Sequence, residues 1–149
     1  MKKTIAALLF IWAGLLFGVS FVATPVKFLA PSLTLAQALD VGRWTFHVLA
    51  WIEWAFVFVA ILLLFKAQQS DRPGIGIVAA VVALVAIVLA AENFILRPLL
   101  DNRVLRIIAG ESVQPSHWHN VYIALEALRL ILLFAGGVFA MRLAGDRNS

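Results

Sequence analysis

The sequence predicts an all-α membrane protein: a bundle of four transmembrane helices, with short interfacial helices in the two outer loops. The 149 residues are 63% hydrophobic and 13% charged, whereas a soluble domain contains roughly 45–50% apolar and about 25% charged residues. The apolar residues are also gathered into four runs. Each run is close to the roughly 20 residues that a helix needs to cross a bilayer.

The four predicted spans form a single domain, residues 1–149, and run over residues 4–23, 44–65, 75–96 and 119–141. The first span also has the basic start and the apolar run of a signal peptide. That run is long for a signal peptide, and no A-x-A cleavage site follows it. We therefore expect the first span to be retained as a helix of the bundle.

Composition excludes several classes of protein. The chain contains no cysteine, which rules out disulfides, thiolate metal sites, iron–sulfur clusters and covalently attached c-type haem. The net charge of +4 comes from basic residues that stand singly beside apolar runs, where they anchor the protein to anionic headgroups. The lipid bilayer is therefore the expected partner and nucleic acid is not. A homo-oligomer or a larger membrane complex stays open.

Charge also predicts the orientation. An even number of spans places both termini on one side, and basic residues are denser in the short segments of that side than in the two longer loops opposite. We therefore predict a multi-pass protein of a bacterial inner (cytoplasmic) membrane with both termini in the cytoplasm. The compared residues are Lys2, Lys3, Lys66, Arg72, Arg142 and Arg147 on the terminal side, and Lys27, Arg43, Arg97, Arg103 and Arg106 in the loops.

The two outer loops, residues 24–43 and 97–118, are long and amphipathic. In the first, leucines follow Ser32 at helical spacing, and Ser32 is a suitable helix cap. In the second, apolar residues alternate with charged ones until Gly110, which is a typical residue just beyond a helix end. Each loop is therefore predicted to lay one short helix on the membrane surface.

Polar residues inside the spans are costly, so each needs a partner. In the fourth span, His119, Tyr122, Glu126 and Arg129 fall on one helical stripe. Counting depth at 1.5 Å per residue places Glu53 of the second span level with the lower part of that stripe. We therefore predict that Glu53, Glu126 and Arg129 form intramembrane ion pairs that hold the helices in register.

Nearer the outer surface, the same depth count brings together a second group of polar side chains. It predicts a polar pocket open to the non-cytoplasmic side. Its predicted lining residues are Ser20, Thr24, His47, Glu92, Asn93, His119 and Tyr122.

The pocket favours a membrane protein that handles a metal ion or a small solute. Imidazole suits copper and other transition metals, so His47, His117 and His119 are the candidate metal ligands. A b-type haem in an electron carrier is a further alternative, since His47 and His119 lie at one depth on two helices and haem iron accepts axial histidines.

A structural or accessory subunit of a larger membrane complex is the remaining alternative. Trp44, Trp51 and Trp54 follow one stripe of the second span and would form the contact with such a complex. The sequence contains no nucleophile–base pair, phosphate-binding glycine loop or metalloprotease signature, so we do not expect an enzyme.

Three stretches of the sequence resemble a known family. "GLLFGVSFVATPVKF", "NFILRPLLDNR" and "PSHWHNVYIALEALR" are similar to small four-helix bacterial membrane proteins that form a domain of unknown function. That family is distantly grouped with copper-resistance-D-type membrane domains. The resemblance implies the four-helix fold and its topology, but no reaction. It draws attention to Pro25, Phe28, Asn93, Pro98, Arg103, His119 and Glu126.

Overall fold

A computed structural model describes residues 1–69 and 74–145, and this part of the chain contains four long helices. They are α1 (Lys2–Leu29), α2 (Leu35–Gln68), α3 (Ile75–Ile108) and α4 (Trp118–Gly145). Each is long and apolar enough to cross a membrane, which confirms the predicted all-α four-helix bundle. At 1.5 Å per residue α2 and α3 are each about 51 Å long, so their ends reach beyond a hydrocarbon core of about 30 Å.

The four helices alternate in direction, which places the chain termini together. The Lys2 ammonium donates to the carbonyl of Leu143 at 3.0 Å, and Gly74, at the start of α3, lies against the Leu143 side chain. We call this end of the bundle the terminal end. The α1–α2 and α3–α4 loops lie at the opposite end, which we call the open end. Arg72 and Arg147, which entered the charge comparison, are outside the described residues.

The predicted interfacial helices are helical, but they are not separate helices. α2 begins at a capping box in which the Thr34 hydroxyl accepts from the Gln37 backbone N–H, and it continues without a break into the span. In the same way α3 runs through Pro98 to Ile108. The amphipathic start of α2 and its span form one α-helix, whereas a π segment separates the span of α3 from its amphipathic end.

Two short π-helical segments widen the helices in the half of the bundle nearer the open end. One covers Phe17–Ala23 of α1 and the other covers Glu92–Leu96 of α3. The second segment also explains why α3 survives a proline. Pro98 stands in the first turn of the α-helical stretch that follows the π segment, where its missing N–H is tolerated. Single π turns occur often at functional sites, and these two carry polar residues.

The half of the bundle nearer the terminal end is filled by apolar side chains. α1 packs closely along α4, and the buried residues here are Ile5, Leu9, Leu64, Val78, Val82 and Leu133. On the outside, large apolar side chains such as Phe58, Ile87 and Ile131 are exposed. A surface of this kind contacts the acyl chains of a bilayer, so the molecule is a multi-pass membrane protein.

A glycine sets the close approach of α1 and α4. A Cβ atom added to Gly137 would lie 2.8 Å from the Phe10 ring, whereas one added to Gly14 would meet nothing within 4 Å. We expect Gly137→Ala to lower the free energy of unfolding by about 1–3 kcal/mol through overpacking. Thermal unfolding in detergent, followed by circular dichroism, measures the change. Gly14→Ala is the matched control, and equal stability of the two variants would contradict the packing argument.

Candidate functional site

Four charged side chains meet in the middle of the bundle, and we call them the Arg129 cluster. It consists of Arg129 with Glu53, Glu92 and Glu126, which are at most 2% exposed. The Arg129 guanidinium donates from Nη1 to Glu53 Oε1 at 2.6 Å and from Nη2 to Glu126 Oε1 at 3.2 Å. Its Nη2 also lies 2.8 Å from Glu92 Oε2. Three helices therefore each supply a carboxyl group to one guanidinium.

The remaining helix, α1, contacts the cluster through Trp12. The indole Nε1–H donates to Glu53 Oε1 at 2.9 Å, and the ring stacks on Phe56 with 5.7 Å between centroids. Trp12 was not among the residues predicted from the sequence to belong to a site. Its position near the middle of a span could have indicated this role, because a buried indole N–H normally requires a hydrogen-bond acceptor.

Hydrogen bonding within the cluster is incomplete. Among the described residues, neither oxygen of Glu92 has a hydrogen-bond partner. Arg129 Nε also has no hydrogen-bond partner there. The 2.8 Å approach of Glu92 to Arg129 is therefore an ion-pair contact without the alignment of a hydrogen bond. The cluster combines three carboxyl groups with one guanidinium, so its acidic groups outnumber its basic ones.

A cavity of about 730 Å³ opens above the cluster and leads to the open end. Its floor contains Glu126 and Tyr122, so the cavity reaches a member of the Arg129 cluster. Its walls are mainly apolar. The wall residues include Phe21, Phe28, Leu39, Phe46, Leu100, Val104, Ile107 and Ile123.

Four basic side chains line this cavity, and they differ in their partners. Arg43 pairs with Asp40 at 2.9 Å, and Arg103 donates to the carbonyl of Gln114. Lys27 and Arg97 have no carboxylate within ion-pairing distance among the described residues. Lys27, Arg97 and Arg103 are thus three cations of the cavity without an acidic partner in this part of the chain.

The carboxylates of the cavity are already engaged. Asp101 Oδ2 lies 2.8 Å from His47 Nε2, and Glu126 contacts Arg129. The Tyr122 hydroxyl lies beside both Glu126 and the Arg97 guanidinium. The cavity therefore presents an excess of positive charge to whatever occupies it.

The predicted pocket corresponds only in part to this cavity. Ser20, Thr24, His119 and Tyr122 line it. The other three predicted residues do not, and each has a different reason. His47 turns to Asp101. Glu92 joins the Arg129 cluster, because the π segment turns it into the bundle. The side-chain amide of Asn93, in the same segment, is buried and has no hydrogen-bond partner among the described residues. The three residues assigned to ion pairing, Glu53, Glu126 and Arg129, do meet.

The histidines do not assemble into a metal centre. His47 is occupied by Asp101, while His117 and His119 are exposed. Within residues 1–69 and 74–145, no three His, Cys, Asp or Glu side chains are grouped so that they could hold a metal ion. The predicted copper or transition-metal site and the predicted haem b therefore gain no support from the geometry.

The tryptophan stripe of α2 divides between the inside and the surface. Trp54 packs against Phe94 with 6.3 Å between ring centroids, whereas Trp44 and Trp51 are exposed. The accessory-subunit alternative stays a prediction, because exposure alone does not distinguish lipid from a protein partner.

Comparison of the chain with protein-family models, with curated proteins and with solved structures finds no match. The resemblance to a four-helix family of unknown function and to copper-resistance-D-type domains therefore remains a prediction. Five of the seven residues that it singled out line the open-end cavity: Pro25, Phe28, Arg103, His119 and Glu126.

Proposed function

We propose that the protein is a membrane-embedded binding protein for a small amphiphilic anion. The open-end cavity holds the acidic head of this ligand on Arg97 and its apolar body against the phenylalanines of the wall. In this proposal the chain binds a solute and is not an enzyme. The ligand is an organic acid with an apolar tail, free or as part of an anionic lipid.

The proposal depends mainly on one observation, the position of Arg97. This side chain is 9% exposed and lines the cavity, yet no carboxylate of the described residues pairs with it and its Nε has no hydrogen-bond partner among them. Buried charges are normally paired, because removal from water is costly. A planar guanidinium matches a carboxylate or phosphate through two parallel hydrogen bonds, so an anionic head supplies the missing partner.

The size and the walls of the cavity support an amphiphilic ligand. Its volume of about 730 Å³ falls in the range of roughly 300–1,000 Å³ that small-molecule sites occupy. Phe21, Phe28 and Phe46 offer aromatic surface to an apolar tail. Lys27 reaches across Gly42 into the same space and adds a second cation near the mouth.

The proposal also includes a location. We place the protein in a bacterial inner membrane with the terminal end in the cytoplasm, because Lys2, Lys3, Lys66 and Arg142 belong to that end and basic residues are retained on the cytoplasmic side. The cavity then opens to the non-cytoplasmic side. This orientation can be tested with single cysteines introduced at exposed Glu111 and at Lys3, since the wild-type chain has no cysteine. A membrane-impermeant thiol reagent, applied to intact cells, measures which of the two positions is accessible from outside.

Binding of a radiolabelled medium-chain fatty acid to the purified protein in nanodiscs of neutral lipid tests the function. We expect the acid to bind more tightly than the alcohol of equal chain length. We also expect Arg97→Gln to weaken binding of the acid about tenfold or more, because a hydrogen bond to a charged group contributes about 1.5–3 kcal/mol. Native mass spectrometry of protein extracted from cells distinguishes a retained anionic phospholipid from a free acid.

Arg106→Gln is the matched control for Arg97→Gln. Arg106 belongs to the same helix, but its side chain pairs with Glu111 at 2.7 Å and does not line the open-end cavity. Equal binding of the acid and the alcohol, or equal effects of the two arginine variants, would contradict the proposal.

A further inference from the structure

The Arg129 cluster has more acidic groups than its surroundings can neutralise. With all three carboxyls ionised, three negative charges face the single positive charge of Arg129, which leaves a formal charge of −2. Arg129 lies about 16 Å from the start of α4 at 1.5 Å per residue, near the middle of the bilayer. Uncompensated charge at that depth is strongly unfavourable.

The neighbouring groups do not supply the missing positive charge. The cluster is approached by Trp12 and Ser20 from α1, by Arg97 from α3 and by Tyr122 from α4. Of these only Arg97 carries a charge, and it is not within ion-pairing distance of any carboxyl among the described residues. Among the described residues, Glu53 is the only charged group that α2 brings to the cluster. Neutrality therefore requires protons or another small cation.

Glu92 provides an independent indication of which carboxyl holds a proton. It is fully buried, it points at Arg129, and neither of its oxygens has a hydrogen-bond partner among the described residues. An ionised carboxylate at this depth would take aligned donors, as Glu53 does from Arg129 and Trp12. The cluster also lacks the grouping of ligands that a metal ion needs within the described residues. A proton fits this site better than a metal ion does.

Within residues 1–69 and 74–145, the cluster is connected to the open end and not to the terminal end. Glu126 belongs both to the cluster and to the cavity floor, and the Tyr122 and Ser20 hydroxyls lie beside it. Towards the terminal end, Leu9, Val85 and Leu133 close the interior with buried apolar side chains. Water from the open end therefore approaches Glu126, whereas no polar route continues through the described residues of the other half.

We propose that the Arg129 cluster is a proton-binding site, in which Glu92 and Glu126 are protonated and Glu53 forms a neutral pair with Arg129. The proton of Glu92 exchanges with the open-end cavity through Glu126. The proton comes from water in the cavity, passes to Glu126 and then to Glu92, and returns by the same route. The cluster takes up and releases protons from one face of the membrane and does not conduct them across. This inference does not depend on the ligand proposed for the cavity.

Infrared spectroscopy of the purified protein tests the inference, because a protonated carboxyl has a C=O stretch separate from that of a carboxylate. At neutral pH we expect this band in the wild type, and we expect it to shift after transfer to D₂O. The band should weaken in Glu92→Gln and disappear in the double variant Glu92→Gln, Glu126→Gln, which leaves Glu53 paired with Arg129. Glu111→Gln is the control, since Glu111 is exposed and pairs with Arg106.

Several outcomes would overturn the inference. Absence of the band from the wild type at neutral pH would mean that the carboxyls are ionised or neutralised by a bound cation. A band that does not shift in D₂O would show that the proton does not exchange with water in the cavity. A band that persists unchanged in a folded Glu92→Gln variant would remove Glu92 as its carrier. The wild-type measurements decide the first two points even if a variant fails to fold.

Discussion

Replacement of Arg129 by leucine is expected to lower the free energy of unfolding by about 3–5 kcal/mol, the cost of removing one partner from a buried ion pair. The Arg129 guanidinium is the only group that contacts Glu53, Glu92 and Glu126 together in the described part of the chain. Without it, three carboxyl groups from three helices face one another in a low-dielectric interior. Titration with sodium dodecyl sulfate in mixed micelles, followed by circular dichroism, measures the loss.

Arg106→Leu is the control for this substitution, because the Arg106 side chain is 52% exposed and its pair with Glu111 belongs to the class of surface ion pairs worth about 0–1 kcal/mol. Arg129→Lys should recover only part of the loss. A lysine carries the charge, but it lacks the planar fork with which Arg129 reaches several carboxyls. If Arg129→Leu were as stable as Arg106→Leu, the cluster would have no role in holding the helices together.

Hydropathy predicted the helix count and class from sequence, but it did not predict where the helices end. The second span was predicted over residues 44–65, whereas α2 extends over Leu35–Gln68. The apolar window reports the part of a helix that lies in lipid. Continuation into water is decided by local caps, here the Thr34–Gln37 capping box, which adds little to a hydropathy average. α3 likewise extends beyond its predicted span, residues 75–96, and continues past Pro98 to Ile108.

Depth along a regular helix was enough to predict that Glu53 and Arg129 meet. It failed for Glu92, which was assigned to the pocket. The reason is local. The π segment that begins at Glu92 departs from the regular 3.6-residue period, so side-chain directions beyond it cannot be counted from the start of α3. His47 was misplaced for a different reason, since its partner Asp101 is 54 residues away and was expected on the membrane surface.

Trp12→Ala is expected to cost roughly 3–5 kcal/mol, the range for truncating a large buried aromatic side chain. In lipid the transfer of apolar surface contributes less to helix association than in water. However, two costs of the substitution are the same in lipid: the cavity left against Phe56 and the loss of the hydrogen bond to Glu53. Because Trp12 is the residue of α1 that donates to Glu53 in the Arg129 cluster, the loss should appear mainly as weaker packing of α1. Detergent titration of the purified variant measures it.

Two further substitutions separate the packing of Trp12 from its hydrogen bond. Trp12→Phe keeps most of the ring and removes the N–H donor, so we expect a loss of about 1 kcal/mol, the net contribution of a typical intramolecular hydrogen bond. Trp51→Ala removes an indole of equal size that is 78% exposed, and such surface changes usually stay within about 0.5 kcal/mol. A Trp51→Ala variant as unstable as Trp12→Ala would show that burial in the bundle does not set the cost.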